Sequence, residues 1–365
     1  VVKRLLVKAL RVSGVLRLAR FSNRRRLLML TYHGVLPAGS GADDYLARNC
    51  VDADAFARQM RFLSTHYCCI SLSDAVAGLA GEKPLPRRAA VVTFDDGFRN
   101  NLDHALPVLR EYGVPATVFV TTGHIGRGTC LLWTERVARL VTESRAGDRI
   151  DVVVAGERIT AAGPGERREA ARALLKRLKS MPVGERDQAI AELERALGAD
   201  AGAPEEDRYA FLDWDGVRAL IAGGVEIGSH TATHAVLTSL TPDAIRRELA
   251  RSKGAIERHI GRPCVLFAYP NGTAADFNDT AKAALREAGF LCALSQIPGM
   301  NTPETDRYEL RRINIGRGHD DLLFEAQVAG VWTWFASAAS WLRGSVGKLR
   351  PAGVGAEAIG LAGRR

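Results

Sequence analysis

The chain has 365 residues, of which 47% are hydrophobic and 25% charged, an ordinary globular balance with enough apolar side chains for a sizeable core. Its formal charge of +9 suggests nucleic acid, but residues 1–26 alone hold nine Lys and Arg and no acid, and the other 41 cations face 41 acids. The body is neutral, which excludes a nucleic-acid-binding face spread over the domain and places the basicity at one end.

Residues 1–26 read as a basic amphipathic N-terminal helix. Between positions 1 and 20 the cations Arg4, Lys8 and Arg11 recur at helical spacing, beside an apolar face of Leu5, Leu6, Ala9, Val12 and Leu16. No uninterrupted apolar run approaches the roughly 18 residues that a bilayer-spanning helix needs. The cations run through the segment instead of preceding an apolar stretch, which makes it a poor secretory signal. Two uses stay open: a docking helix packed on the domain, or a peripheral contact with an anionic membrane face. Six cysteines (Cys50, Cys68, Cys69, Cys130, Cys264 and Cys292) show neither paired metal spacing nor a disulfide framework. Read as reduced, they place the protein in the cytoplasm, with the inner membrane face as the expected peripheral partner.

From residue 27 onward, strand-like runs alternate with helix-like runs, the signature of parallel β/α architecture. Residues 27–32 form an apolar run ending in His33-Gly34, and residues 54–63 carry helical spacing through Phe56, Met60 and Leu63. Val91-Val92-Thr93-Phe94-Asp95-Asp96-Gly97 then reads as a buried strand ending abruptly in two carboxylates and a glycine. A helix over 102–112 closes at Gly113, and residues 115–121 are the next strand. From about 134 to 211 the pattern changes. Residues 151–160 look like a hairpin turning at Ala155-Gly156, 166–181 and 185–197 like charge-rich amphipathic helices, and 198–207 like a solvated linker. This stretch is read as an insertion, a lid or side wall, to which no chemistry is assigned.

The β/α pattern resumes with a helix at 214–222, a strand at 225–229 and a helix at 242–260. That helix has Thr241 as N-cap, Pro242 at its first position and Gly261 just past its end. Strands at 265–269, 291–295 and 310–315, with a helix near 278–288, bring the count to about seven. The expected fold is an α/β, distorted parallel (β/α)7 barrel over residues 27–330, carrying the 134–211 insertion and followed by a Gly- and Ala-rich C-terminal tail over 331–365.

Four polar clusters fall at the C-terminal ends of these strands: His33, Asp95-Asp96, His230 with His234, and Tyr269-Pro270-Asn271-Gly272. In a β/α barrel those ends open on one face, so residues far apart in sequence converge there. Two adjacent acids at a buried strand tip need a cation or a proton to be tolerated. His230 and His234, four apart, can both reach one ion, and imidazole with carboxylate suits zinc and related divalent metals. Two His and one carboxylate leave coordination positions open, as catalytic sites do.

On these residues the chain resembles the polysaccharide deacetylase family, the group sharing the nodulation-protein-B homology domain. Thr93-Phe94-Asp95-Asp96-Gly97 matches its first motif, His230-Thr231-Ala232-Thr233-His234 its second, and Phe267-Ala268-Tyr269-Pro270-Asn271-Gly272 looks like a variant of its third. The match covers about residues 27–317, interrupted by the insertion. The resemblance implies metal-dependent hydrolysis of N-acetyl groups on amino-sugar residues of a polysaccharide or its lipid-linked precursor. It further implies Asp96, His230 and His234 as metal ligands, zinc first among divalent ions, and Asp95 as the base that takes a proton from water. The backbone near Tyr269 and Asn271 would face the developing oxyanion, and Thr231 would orient the loop by hydrogen bonding.

Two departures from the pattern matter. An Arg that commonly precedes the Pro of the third motif and contacts the base is replaced by Ala268, with Arg311 and Arg312 the alternatives for its role. The late Leu-x-x-His motif that supplies the general acid is not recognisable. His319 reads as a surface residue, and His33 is the better candidate, because Tyr32-His33 resembles an element of the rearranged exopolysaccharide deacetylases. His66, His104 and His124 lack a partner pattern, His259 sits near a helix C-terminus, and Trp133, Trp214, Trp332 and Trp334 read as packing residues, with lining the groove the other use of Trp133. Two other functions stay open on sequence. One is hydrolysis of a formyl-sugar or small cyclic amide on the same scaffold; the other is non-catalytic carbohydrate binding.

Overall fold

The structure, a computed structural model, describes residues 2–40, 46–128, 131–144, 149–197 and 209–331. Two helices, α1 (Val2–Val12) and α2 (Val15–Ser22), lead into strand β1 (Leu28–Tyr32). Then come β2 (Gly34–Leu36), β3 (Cys50–Asp52), α3 (Ala53–His66), β4 (Cys68–Cys69), α4 (Leu72–Leu79), β5 (Ala89–Phe94), α5 (Leu106–Tyr112) and β6 (Ala116–Val120). The insertion contributes α6 (Trp133–Glu143), the hairpin β7 (Arg149–Val154) and β8 (Glu157–Ala162), α7 (Gly163–Lys179) and α8 (Val183–Leu197). The chain ends its described part with α9 (Trp214–Ala222), β9 (Glu226–Ser229), α10 (Pro242–Ile260), β10 (Leu266–Ala268), α11 (Asp279–Glu287), β11 (Cys292–Leu294), β12 (Ile313–Asn314) and α12 (Asp321–Val328).

Seven strands pair in parallel in the order β11-β10-β9-β6-β5-β1-β12, with the short β4 also against β5. The segment around β12 touches both edges of this curled sheet. Leu310 exchanges backbone hydrogen bonds with Ala293 and Ser295 beyond β11, while Ile313 and Asn314 pair with Leu30 and Thr31 of β1. The sheet therefore closes into a distorted barrel, as the alternation of strand-like and helix-like runs implied.

Strand alternation sorts the apolar residues into two cores. Leu28, Leu30, Tyr32, Ala90, Val92, Phe94 and Phe267 face outward into the layer beneath the helices. Leu27, Met29, Ala89, Val91, Phe119, Leu266 and Ala268 face inward, in one cluster with Leu72 and Ala75 of α4. Continuing the inward set toward the C-terminal ends of the strands gives Thr31, Thr93, Asp95 and Thr121, all buried. One end of the barrel interior is thus apolar and the other polar, and the polar end is the site.

The insertion has its own core, built on Val137, Leu140, Val141, Leu174, Leu178 and Leu193 and resting on Leu36, Cys50 and Val236 of the barrel. Its hairpin turns at Ala155 (φ 49°) and Gly156 (φ 76°), two left-handed residues of the kind a tight two-residue turn requires. The expected linker at 198–207 and the tail beyond Val331 lie outside the described residues. Among those that are described, every cysteine is free, and no helix is long and apolar enough to cross a membrane.

The N-terminal reading needs correction. A single helix gives way to two, because Gly14 adopts a left-handed conformation (φ 79°) that turns the chain between α1 and α2. Of the expected apolar face Leu16 is buried, but Leu5, Leu6 and Val12 are 63%, 48% and 82% exposed, and Val7 and Ala19 are covered instead. α12 offers only a narrow apolar strip around Ala326, so one row of α1 packs and the rest is left to solvent.

One inward position has no room to spare. A Cβ on Gly228 of β9 would lie 2.5 Å from the Phe119 ring and 3.0 Å from the Leu266 carbonyl oxygen. Gly228→Ala is expected to lower stability by about 1–3 kcal/mol in denaturant unfolding, and a neutral result would show that the barrel interior yields at this level.

Candidate metal centre and active site

The site begins with how β5 ends. Asp95 follows the inward alternation of Val91 and Thr93, so its carboxylate points into the barrel. Asp96 would point outward if the strand continued. Instead it takes a left-handed conformation (φ 75°), as does Gly97 (φ 89°), and the turn brings the second carboxylate toward β9. Gly97 is pressed against Val120, 3.1 Å from a built Cβ, and its conformation suits glycine.

Across the rim, His230 continues the inward set of Glu226 and Gly228 beyond β9, and Thr231 (φ 68°) and His234 (φ 57°) fold the loop back so that both imidazoles face Asp96. His230 Nε2 lies 3.5 Å and His234 Nε2 3.3 Å from Asp96 Oδ1. One ligand atom from each of Asp96, His230 and His234 lies within 4.8 Å of the others, and all three residues are buried. His230 Nδ1 sits 2.8 Å from the Ala268 carbonyl, which fixes the ring and leaves Nε2 free to ligate. Glu248 of α10 accepts from the Ala232 N–H (2.9 Å), the Thr233 N–H (2.5 Å) and the Thr233 hydroxyl (2.8 Å), clamping the loop between the two histidines.

These residues fit a divalent cation on their own chemistry. Asp96 Oδ1 is buried with no hydrogen-bond donor on it, an arrangement unfavourable for an anion unless a cation completes it. Burial pushes the Asp96 carboxyl upward in pKa, but His234, His33 and His230 outweigh it and hold it below the ordinary carboxylate range. Burial in turn pushes the His230 imidazole down to about 4, so it is neutral near pH 7, the form that ligates a metal.

Asp95 is satisfied differently. Arg312, fully buried, donates through Nη1 to Asp95 Oδ1 and through Nη2 to Oδ2, each at 2.8 Å, and through Nε to the Ser295 carbonyl at 2.9 Å. Gln296 Nε2 donates to the same carboxylate at 3.1 Å. Burial raises the Asp95 pKa, yet the Arg312 guanidinium more than offsets it, and the group stays ionised below the usual range. Of the two arginines offered by the sequence, Arg312 takes the role, because it lies two residues beyond the inward Leu310. Arg311 falls on the opposite face, its side chain near Gly299.

A cavity of about 280 Å³ opens over these groups. His33 and Asn271 line it, and each has a buried nitrogen without a partner, His33 Nδ1 and Asn271 Nδ2. The insertion supplies one wall through Thr134 and Glu135 of α6 and Leu175 and Lys179 of α7, so part of this charge-rich segment does reach the site. Trp133 is not among the lining residues; its indole N–H donates to the His234 carbonyl at 3.2 Å, supporting the loop from behind.

Two expected residues do not serve as the sequence reading had them. Tyr269 continues the outward face of Phe267, is buried, stacks on Phe277 at 4.3 Å, and donates its hydroxyl to the Tyr308 carbonyl. Its own N–H is bonded to the Leu294 carbonyl, so neither group is available to an oxyanion. The Thr231 hydroxyl has no partner, and the loop is oriented through backbone groups and Glu248 instead. Sequence reasoning did not find Glu248, Gln296 or Lys179. Glu248 sits on a helix whose sequence looks like a solvated face, and only the loop geometry reveals its use.

The clamp is testable without turnover. Glu248→Ala is expected to weaken zinc affinity about 10–100-fold in calorimetric titration; an unchanged affinity would show that the loop holds His230 and His234 unaided.

With the geometry in view, comparison with known proteins converges. The Polysaccharide deacetylase family profile matches residues 82–153 and 196–293, on either side of most of the insertion. YxkH of Bacillus subtilis (strain 168), whose name assigns it provisionally to the polysaccharide deacetylases, is 19% identical over 304 residues, covering 83% of this chain and 76% of that protein. A poly-beta-1,6-N-acetyl-D-glucosamine N-deacetylase of Staphylococcus aureus (strain N315) is 29% identical over 76 residues, which is 21% of this chain and 26% of that protein. Among solved structures, the Streptococcus pyogenes deacetylase PplD superposes with a TM-score of 0.55 at 16% identity, covering 83% of this chain and 98% of that one. IcaB from Ammonifex degensii gives 0.53 at 21%, covering 84% and 96%. The sequence profile and the paired motifs at the barrel rim agree: over residues 82–153 and 196–293 the chain matches the polysaccharide deacetylase family.

Proposed function

We propose that this protein removes N-acetyl groups from amino-sugar residues of a glycan, with zinc held by Asp96, His230 and His234. One observation carries the reading: a carboxylate fixed by Arg312 stands beside a three-residue metal group, and both line one cavity. A divalent ion so held supplies Lewis acidity, bringing the pKa of a water it binds from about 15.7 toward 7 and polarising the amide carbonyl.

The chain's own groups do the rest. Asp95 takes the proton from the attacking water. Its basicity is depressed by Arg312, so it is a base matched to an acidified water and ill suited to a free one. The two-point grip of Arg312 fixes the carboxylate's orientation and keeps it ionised. Asn271, with a free buried Nδ2 at the cavity edge, is placed to donate to the carbonyl oxygen as charge develops there. His33, whose Nδ1 is likewise unpartnered, is placed to give a proton to the departing sugar nitrogen, so that the C–N bond breaks to acetate and a free amine. Non-catalytic carbohydrate binding rests on the missing arginine and the missing late histidine; Arg312, which grips Asp95 at two points, supports the catalytic reading against it.

Asp95→Asn is expected to cut acetate release from N-acetylglucosamine oligomers by about 10²–10⁴-fold, with zinc content unchanged by elemental analysis. Acetate release at the wild-type rate would exclude Asp95 as the base.

A further inference from the structure

A second cavity, about 960 Å³ and larger than the one over the metal group, lies under α1, α2 and α12. It opens at the other end of the barrel. Arg88, on its wall, precedes β5, and Asp95 follows it; six strand residues separate them, about 20 Å.

Its lining is strongly basic: Lys8, Arg11, Arg17, Arg20 and Arg88 face a single carboxylate, Glu325. Glu325 is already engaged by Arg11 and Arg20, each at 3.1 Å. Among the described residues, no acid pairs with Lys8, Arg17 or Arg88. Arg20 is 7% exposed, and its Nε is buried without an acceptor, so the cavity holds a guanidinium donor with nothing to receive it. The floor, with Leu16 and Phe62, is apolar. This is the donor set for a phosphate group attached to an apolar body.

The rim is apolar too. Leu5 and Val12 share the stripe of Lys8 on α1, at i−3 and i+4, and Phe21 lies four residues beyond Arg17 on α2. They are 63%, 82% and 53% exposed. Val331, the last described residue, packs in one cluster with Val7 and Leu16, so the sequence that follows starts from this same face. That sequence holds no acid from 326 to 356 and carries Trp332, Trp334 and Trp341 with Arg343, Lys348 and Arg350, the composition of a bilayer interface.

We infer that the face formed by α1, α2 and α12 docks on an anionic lipid bilayer. Lipid phosphates enter the basic cavity, the exposed Leu5, Val12 and Phe21 enter the acyl boundary, and the catalytic rim faces away from the membrane. A substrate then reaches the site from the solvent side, as a polymer does. The contact is independent of the hydrolase reading and is tested apart from it.

The test is co-sedimentation of the full chain with vesicles of phosphatidylglycerol and phosphatidylcholine, or of phosphatidylcholine alone, with inorganic phosphate as a soluble competitor. Binding to the anionic vesicles only, weakened by salt, is expected. Lys8→Gln with Arg17→Gln should lower it about 30-fold, roughly fivefold per cation. Leu5→Ser with Phe21→Ser should also lower it, and acetate release from a soluble oligomer should stay at wild type in both variants. Equal binding to neutral vesicles, no vesicle binding, phosphate binding without vesicle binding, or wild-type vesicle affinity in both variants would each overturn the inference.

Discussion

Two neighbouring carboxylates buried at the tip of one strand impose the central constraint on this fold. Left alone, Asp95 and Asp96 would repel each other in a low-dielectric interior, and one of them would have to be protonated. The chain keeps both ionised by turning them apart. Asp95 follows the strand inward to a guanidinium, and Asp96 is wrenched to a left-handed conformation that faces two imidazoles. The Arg312 pair neutralises one charge permanently, while the second carboxylate keeps an oxygen with no donor at all. That asymmetry separates a fixed proton acceptor from a cation site only one residue away.

The barrel makes this separation possible. Its interior is apolar at Leu27, Met29, Ala89 and Val91, then turns polar at Thr31, Thr93 and Asp95, so the charges sit on a packed base. Arg312 arrives on the segment that touches both sheet edges, with its Nε on the Ser295 carbonyl beyond one edge and its Nη atoms on Asp95 beyond β5. Closing the sheet and orienting the base are therefore one structural event. The insertion adds a wall with its own core, which sets the cavity's width without disturbing the strands.

Much of this was legible in the sequence, and the reasons are particular. Apolar runs ending in His33, Asp95, His230 and Asn271 placed the strands and their rim because parallel strands buried on both faces leave little room for other patterns. The helix at 242–260 was bounded by residues whose capping geometry is local: the Thr241 hydroxyl accepts from the Ala244 N–H, and Gly261 is left-handed. Tyr269 misled because the motif was read along the chain and not by alternation, which sends it outward with Phe267. Arg312 was one of two candidates, and the same alternation, counted from Leu310, would have chosen it. Glu248 and Lys179 carried no such signal, since one reaches the histidine loop and the other the cavity wall across a gap in sequence that only packing closes. The N-terminal helix was seen, but Gly14 breaks it in two, and its buried face was misplaced because within α1 only the row through Val7 meets the narrow apolar strip of α12.

The most direct test of the account is a crystal structure of the zinc-loaded protein with anomalous scattering measured at the zinc edge. The account predicts one ion shared by Asp96, His230 and His234, with Asp95 still gripped by Arg312 and not ligating. An ion bound by Asp95, or an ion that draws Asp95 away from Arg312, would contradict the division of roles between the two carboxylates.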